Sequence, residues 1–394
     1  MTTLVYLVEL VALVAALGWQ GPVVAQPTPS PAASGFSVIN FGARPERPDM
    51  DSTGPFQHAI DACTAAGGGV VTVPHGRYWF DGYLILGGWG SRNYGCALVG
   101  EGRGPYDPMV SPIDRAQGPT LLVRAKSGAT GQPFILIVSS SSAVEDLIFA
   151  YPDQRKVDDP NVGNLGPIFY PPTIRVEMPA KIRRCTFANG YQDVEILVGR
   201  VTLDELYLGG IANAVTINNA ADSVRINSSM IEPFASWGLP PLQGMHYWSL
   251  NHATGIVARK ADSLQVSDTL VFGRYAGLVF EESLTLPYGS VSGMVSDVNC
   301  DTVRYCVIAR ATEPHVGVVF TNLLMGPYWD ADVGWAIWLP RSSTTSAYRA
   351  RISVVGGSIR YTWRPGNRGY GFQADGGGEL YIKNVIGHDL GPRL

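Results

Sequence analysis

Charged residues are scarce in this sequence. Only 16% of its 394 residues are Asp, Glu, Lys or Arg, and the formal net charge is -4, whereas average soluble domains carry about 25% charged residues. A protein that binds nucleic acid needs a concentrated basic surface, so we predict no nucleic-acid partner. The five Cys and six His show no spacing of the kind that holds zinc, and we predict neither a metal site nor a cofactor.

Long apolar runs are absent after the N-terminus, where no stretch reaches the roughly 18 to 20 residues of a membrane span. Residues Leu4 to Trp19 are almost wholly apolar and precede "GPVVAQPTPSPAAS". This pattern predicts a signal peptide over residues 1–25 and a Pro/Ser linker over residues 26–35. We therefore expect a secreted or periplasmic protein that is not membrane-bound after cleavage. A membrane-anchoring helix remains the alternative, because "MTTLVY" has no Lys or Arg and Glu9 interrupts the apolar run.

Helical spacing long enough to cross over a sheet is also missing from the body of the chain. Instead, from about residue 140 onward, Val- and Ile-rich runs separated by Gly, Asn, Asp or Ser return about every 20 to 30 residues, as in "VTLDELYLGGIANAVTINNA". Units of this size must stack to bury their apolar faces. We predict an all-β fold, a right-handed parallel β-helix, in preference to a β-sandwich or a propeller.

One amphipathic helix is predicted near the N-terminus. Ser52 or Thr53 can cap it, and Phe56, Ile60 and Cys63 lie on one face. A helix of this kind can cover the open apolar end of a stack of coils. The cysteines permit Cys63–Cys96 and Cys300–Cys306 pairs with Cys185 as a buried thiol, but the sequence does not decide the pairing.

The segment "VINFGA…DSTGPFQHAIDAC…GGGVVTVPHGRYWFDGYLIL" resembles the N-terminal module of pectate-lyase-superfamily proteins related to polygalacturonases (glycoside hydrolase family 28-like). The resemblance covers residues 36–104, as cap and first coils. It implies a pectin-lyase-like right-handed β-helix with an N-terminal capping helix, a single domain over residues 36–394, and activity on polysaccharide. The polygalacturonase motifs "NTD", "DD", "GHG" and "RxK" are absent, which disfavours an ordinary pectin hydrolase.

The last strand of each coil, set in register, yields a polar row. Alternate side chains of a strand face opposite sides, so "PTIRVE" and "DVEILV" place their Ile and Val inward, and "GLVFEE" places Leu278 and Phe280 inward. The outward row reads Arg175, Glu177, Glu195, Thr216, Asn218, Arg259, Glu281, Arg310, Trp338, Gln373 and Asp375. A merely solvated face is the alternative, but the alternation of Arg and Glu favours a functional surface.

Two interruptions beside this row are rich in aromatic residues: Glu232 to Gly255 and Gly326 to Pro340. Aromatic rings are costly to leave exposed, so we predict the walls of a sugar-binding cleft, with packing against the coils as the alternative. The predicted substrate-binding residues are Arg175, Arg259, Arg310, Trp237, His246, Trp248, Trp329 and Trp338.

Hydrolysis of a glycosidic bond needs two carboxylates across it. A coil spacing of about 4.8 Å and a two-residue offset of about 6.6 Å place Glu177 and Glu195 about 8 Å apart, which suits an inverting hydrolase. Glu281, flanked by Arg259 and Arg310, should remain ionised. The predicted catalytic residues are Glu177, Glu195, Glu281, Asp330 and Asp332.

Two other functions stay open. β-Elimination on a uronate polymer would use Arg175, Arg259 or Arg310 to neutralise the carboxylate, with an Arg or with Tyr275 or Tyr305 as base. A non-catalytic carbohydrate-binding module would use the aromatic loops alone. The expected partner in every case is a polysaccharide or oligosaccharide, and a homo-oligomer, such as a trimer with its cleft between chains, is compatible with the sequence.

Overall fold

Parallel β-strands make up most of the structure, a computed structural model. It describes residues 35–88, 95–102, 113–125, 131–154, 167–233, 243–283, 285, 289–327, 333–341, 348–360, 368–376 and 378–388. Residues Phe36–Leu394 belong to one compact unit. No helix in these ranges is long and apolar enough to cross a membrane.

The described elements are a 3-10 turn (Val38–Phe41), two helices and a series of strands. The helices are α1 (Thr53–Ala65) and α2 (Gln243–His252). The strands are β1 (Phe36–Ser37), β2 (Gly69–Val73), β3 (Gly76–Phe80), β4 (Leu84–Leu86), β5 (Cys96–Gly100), β6 (Pro119–Val123), β7 (Ile135–Ile137), β8 (Ser142–Glu145), β9 (Ile148–Ala150), β10 (Ile174–Val176), β11 (Ala180–Arg183), β12 (Thr186–Ala188), β13 (Gln192–Ile196), β14 (Val201–Asp204), β15 (Tyr207–Leu208), β16 (Asn213–Ile217), β17 (Val224–Asn227), β18 (Met230–Ile231), β19 (Thr254–Ala258), β20 (Ala261–Phe272), β21 (Ala276–Phe280), β22 (Val291–Val303), β23 (Tyr305–Ala309), β24 (Val318–Pro327), β25 (Val333–Leu339), β26 (Arg351–Arg360), β27 (Arg368–Ala374), β28 (Glu379–Lys383) and β29 (Ile386–His388).

The strands form coils that stack in register. One sheet of the described residues has ten strands in the order β4-β7-β10-β13-β16-β19-β21-β23-β25-β27, and the other strands form a second, larger sheet. Each strand pairs in parallel with its equivalent on the next coil, so that Val194 aligns with Val215 and then with Ile256. These inward side chains are fully buried. The right-handed parallel β-helix predicted from the sequence is therefore confirmed.

A left-handed residue bends each coil of the larger sheet at the same point. Asn and Asp adopt this conformation more readily than most residues, which explains the Asn- and Asp-rich turns of the sequence. The residues at this corner have φ between 45° and 57°: Asp146, Arg184, Glu205, Ser228, Asp268, Asp297, Asn322 and Asn384.

Helix α1 covers the first coils, as the sequence predicts. Phe56 is fully buried, and its ring meets those of Tyr78 and Phe80 at centroid distances of 5.2 and 4.9 Å. The predicted cap needs a correction. Ser52 occupies the N-cap, but its backbone is helical (φ -87°, ψ -2°) rather than extended, and its side chain makes no cap hydrogen bond. The carboxylate of Asp51 instead accepts from the Thr53 amide at 2.9 Å.

Two disulfides link residues of the described chain. Cys63 of α1 bonds to Cys96 across 33 positions of sequence, and Cys300 bonds to Cys306 across 6. Cys185 is a buried free thiol.

Removing the Cys63–Cys96 disulfide should lower the free energy of unfolding more than removing Cys300–Cys306. Cys63–Cys96 closes the larger loop of the unfolded chain. C63A/C96A should therefore lower the free energy of unfolding by about 4 kcal/mol, and C300A/C306A by about 2 kcal/mol. Urea unfolding of both double variants, with oxidised wild type as reference, measures the two losses. Equal losses would contradict the loop-entropy explanation.

Candidate functional site

The outer face of the ten-stranded sheet, here called the site face, carries the predicted polar row. Arg175 aligns directly with Glu195, and Glu195 with Thr216. Two residues further along each strand, main-chain hydrogen bonds align Asn218, Arg259, Glu281 and Arg310. The row therefore consists of two adjacent stripes rather than one line.

Side chains on these stripes form a continuous polar chain. Arg175 Nε lies 2.6 Å from the carboxylate of Glu195, and Asn218 Nδ2 lies 3.4 Å from the other oxygen of that carboxylate. Arg259 donates to Asn218 at 3.0 Å. It also pairs with Glu281 at 3.3 Å.

Glu281 forms ion pairs with two different arginines. Its second oxygen accepts from Arg310 at 2.9 Å, so Glu281 lies between two guanidiniums as predicted. Its side chain is 28% exposed, and those of Arg259 and Arg310 are 40% and 44% exposed. Exposed ion pairs of this kind stabilise a fold only weakly. Stability alone therefore does not explain why Arg259, Glu281 and Arg310 are charged on three successive coils.

Glu177 and Glu195 lie on neighbouring coils. The Glu177 amide bonds to Ile137 O, one step beyond the Ile137–Val176 pair, which places Glu177 two residues beyond the level of Glu195. The side chain of Glu177 makes no hydrogen bond or ion pair with another described residue, whereas that of Glu195 is held by Arg175. One carboxyl of the pair is thus free and the other fixed.

Glu281 belongs to a different part of the site face. Three coil steps separate β13 from β21, which is about 14 Å at the usual strand spacing. Glu281 therefore cannot act on the same glycosidic bond as Glu177 and Glu195. The three described members of the predicted catalytic set therefore do not form one cluster.

An aromatic stripe lies on the same coils as Glu281 and Arg310, towards the start of their strands. The Tyr305 ring lies 5.1 Å from that of Tyr275 and stacks 5.3 Å from that of Trp338, centroid to centroid. The guanidinium of Arg304 lies 5.9 Å from the Tyr275 ring centre, within the range of a cation–π contact. Trp338 Nε1 donates to Asp375 at 2.6 Å. The predicted Trp338 therefore belongs to a larger aromatic surface.

Aliphatic side chains lie beneath this stripe. Val257, Val279 and Ile308 point outward in register between the aromatic and the charged stripes, yet they are nearly buried and pack with Tyr275, Trp335 and Trp338. The polar row predicted from the sequence omits them. The unbroken apolar runs "GIVA" and "GLVF" could have identified these residues, because such runs indicate strands that are buried on both faces.

A buried charged cluster lies behind the site face, and sequence reasoning missed it. Arg274 is 1% exposed, and Asp193 and Glu232 are 0% and 7% exposed. Burial lowers the pKa of Arg274 to about 10, while the two carboxylates oppose that shift. Burial raises the pKa of Asp193 and of Glu232, partly offset at both by Arg274.

Arg274 links coils that are not direct neighbours. Its guanidinium donates to the carbonyl of Gly210 and, at 3.4 Å each, to those of Ile211 and Leu208. The corner between them contains α2, so Arg274 connects the corners on either side of that helix. The turn that contains Arg274 also holds α2, because Ser249 Oγ donates to Gly273 O at 2.7 Å.

The first aromatic interruption contains α2, a helix that the sequence does not predict. Trp248 lies on it, with its ring stacked 4.8 Å from that of His252. The side chain of His246 lies outside the described residues, as do Trp237, Trp329, Asp330 and Asp332. Within the described ranges, no group of His, Cys, Asp and Glu side chains could hold a metal ion.

Comparisons with known proteins identify the architecture. No family model matches the sequence, and no curated protein matches it either. Among solved structures, the chain is similar to the catalytic unit of a GH87 alpha-1,3-glucanase from Streptomyces thermodiastaticus, with 15% identity and a TM-score of 0.51 over 93% of this chain. The chain spans 65% of the length of that glucanase unit.

Two further structures are similar over most of both chains. DFA-IIIase from Arthrobacter chlorophenolicus, without its lid and in complex with GF2, shares 12% identity at a TM-score of 0.52, covering 90% of this chain and 92% of that one. PfbA, a surface adhesin of Streptococcus pneumoniae, shares 12% identity at a TM-score of 0.52, covering 90% of each chain. At such identities the likeness shows the fold alone, so the resemblance to polygalacturonase-related proteins stays a prediction.

Proposed function

We propose that this protein is a glycoside hydrolase that cleaves a neutral polysaccharide lying along the coil axis of the site face. The observation that carries the proposal is the arrangement of Glu177 and Glu195 on neighbouring coils. Glu195 is fixed by Arg175 at 2.6 Å, and Glu177 is unpaired among the described residues. One carboxylate fixed by an arginine and one free carboxyl suit the base and acid roles of an inverting mechanism.

The aromatic stripe supports a sugar substrate. Tyr275, Tyr305 and Trp338 offer ring faces, and Arg259, Glu281 and Arg310 offer hydrogen-bonding groups along the same coils. Sugars combine apolar ring faces with hydroxyl rims, so a stripe of each kind side by side complements them. Because the stripe begins about three coils beyond Glu195, it would bind a part of the chain remote from the cleaved bond.

The ion pairs argue for a neutral substrate. A lyase needs a cation that is free to bind the uronate carboxylate, but each arginine named for that role is already paired, Arg175 with Glu195 and the other two with Glu281. Burial and neighbouring Tyr275 also raise the pKa of Tyr305, which disfavours its phenolate as the base. Both observations favour hydrolysis over β-elimination.

A non-catalytic carbohydrate-binding β-helix is the second candidate. The observation in its favour is that Glu195 and Glu281 are both held in ion pairs, as structural carboxylates are. An adhesin and glycoside-cleaving proteins are both among the similar structures, so the fold does not decide between the two functions.

We also propose export from the cytoplasm. Two disulfides in the described chain suit an oxidising compartment, in agreement with the predicted signal peptide. We further propose that the chains associate side by side in a homo-oligomer, such as a trimer.

An assay of the chain from residue 26 onward with dextran, alpha-1,3-glucan, inulin, laminarin, xylan and polygalacturonate tests the proposed function. We expect new reducing ends from a neutral polysaccharide with no ultraviolet absorbance of an unsaturated uronate. Absorbance would indicate elimination and overturn the proposed hydrolysis. Binding without any cleavage would establish the binding module instead.

A further inference from the structure

The two ends of the coil stack differ in how their apolar interior is covered. At the N-terminal end α1 lies over the first coils, and Phe56 and Ile60 of that helix are 0% and 1% exposed. At the other end, β28 pairs with β26 and with no other described strand. Ile382 of β28 aligns with the fully buried Val354 and so points inward, yet it is 41% exposed. The apolar interior is therefore exposed to solvent at this end.

Strand β28 also presents a free edge. Its main-chain N–H and C=O groups that face away from β26 have no strand partner among the described residues, and such an edge is a template for pairing with another chain. Charged side chains at an edge deter pairing with most strands. The charges of Glu379 and Lys383 therefore restrict which strand can pair with β28.

The sequence of β28 is complementary to itself. It reads Glu-Leu-Tyr-Ile-Lys over Glu379–Lys383. In an antiparallel pair of two copies centred on Tyr381, Glu379 of each copy lies opposite Lys383 of the other, and Leu380 lies opposite Ile382. Residues directly opposite each other share one face of the sheet, so the charges meet on the outer face and the apolar side chains on the inner face. Opposite charges in such positions stabilise the pairing of two strands, and like charges destabilise it.

The outward side chains of β28 are accessible for this contact. Lys383 is exposed and makes no hydrogen bond or ion pair with another described residue. The side chain of Glu379 is 69% exposed, although it pairs with Arg351 at 2.8 Å. Both contacts with Arg351 use the same carboxylate oxygen. Tyr381 is 76% exposed and would lie opposite its own copy, and aromatic pairs across two strands add to their stability.

We propose that two copies of this chain associate end to end, through antiparallel pairing of β28 with β28 of the second copy. The contact has two-fold symmetry, in which both copies use the same surface. It buries Ile382 and continues the apolar interior of one copy into the other. It differs from the side-by-side association proposed above, which would leave β28 free.

Two single variants, examined alone and then mixed, test the proposal. Lys383→Glu places Glu opposite Glu twice, and Glu379→Lys places Lys opposite Lys twice. Each variant alone should weaken the association at least about tenfold, whereas an equimolar mixture should restore it as a heterodimer. Lys181→Glu is the matched control, because it makes the same change of charge at an exposed position of β11 in the same sheet, and it should associate like wild type.

Sedimentation velocity at protein concentrations up to about 100 µM measures the association. If the chains also associate side by side, Lys383→Glu should halve the mass of the assembly. A wild type that stays monomeric would overturn the proposal, and so would a Lys383→Glu variant that associates like wild type. A mixture that stays dissociated, with both variants folded by circular dichroism, would overturn it as well.

Cross-linking gives a second readout that does not depend on the charge variants. Because residue 381 lies opposite itself in the proposed pair, Tyr381→Cys should give covalent dimers with a short bismaleimide. Met294→Cys is the control, since Met294 is 59% exposed on β22 of the same sheet but lies away from the open end. Equal yields of dimer from the two variants would contradict the pairing of β28 with its own copy.

Discussion

Glu195→Gln should lower kcat by at least about a hundredfold while leaving the melting temperature nearly unchanged. The amide keeps the size of the side chain and can still accept from Arg175, but it can no longer act as a base, a role worth about 10² to 10⁴ in rate. The side chain is only 17% exposed and its surroundings are polar, so the fold should tolerate the change. Steady-state kinetics on the cleaved polysaccharide and thermal unfolding measure both quantities.

Glu281→Gln is the matched control for that experiment. Glu281 is also paired with arginine on the site face, but it lies about 14 Å from Glu195 along the coils. It should retain most of kcat and affect KM more. If Glu195→Gln keeps wild-type activity, the pairing of Glu177 with Glu195 is wrong. If Glu281→Gln is the inactive variant, the reaction takes place beside the aromatic stripe.

Arg274→Met should lower the free energy of unfolding by about 3 to 5 kcal/mol. Met fills a similar volume, but it leaves the carbonyls of Gly210 and Ile211 without their donor and removes a cation that attracts Asp193 and Glu232 electrostatically. Removing one partner of a buried charged group has a cost of this size. Urea unfolding followed by tryptophan fluorescence measures the loss.

Arg304→Met provides the comparison, because Arg304 stacks directly on Arg274 in the next coil, its amide bonding to Arg274 O at 3.0 Å. Arg304 is only partly buried and lies over the Tyr275 ring, so its loss should cost about 1 kcal/mol or less. The double variant D193N/R274M should recover part of the loss of R274M, since it also removes the unpaired carboxylate. Equal losses in R274M and R304M would show that the buried Arg274 contributes no more to the free energy of unfolding than the partly buried Arg304 does.

The sequence predicts the coils well because their physical cause is local and repeated. Val194, Val215 and Ile256 occupy the same position of successive units. Short apolar runs that repeat at this interval therefore predict stacked coils from the sequence alone. Helix α1 follows equally from the spacing of Phe56, Ile60 and Cys63. Helix α2 does not, because "QGMHYWSLNH" has no clear apolar face and depends on contacts such as Ser249 with Gly273.

The site is predicted only in part. The outward position of Glu195 and the bracketing of Glu281 by two arginines follow from alternation within strands. The number of coils between residues is harder to read, so the distance that separates Glu281 from Glu195 emerged only with the structure. The Arg274 cluster has no sequence signal at all, because its three members come from three different coils.

The constant alignment of coils has a consequence for altering the molecule. Asn218 follows Ile217 just as Leu197 follows Ile196, since Ile196 and Ile217 are paired neighbours. Excising residues 197–217 would join equivalent positions of two coils and keep the order of the remaining ones. The distance between Glu195 and the aromatic stripe would then shorten by one coil, about 4.8 Å. If the site face binds a glycan as proposed, the length of glycan between Glu195 and the aromatic stripe can thus be changed in steps of one coil.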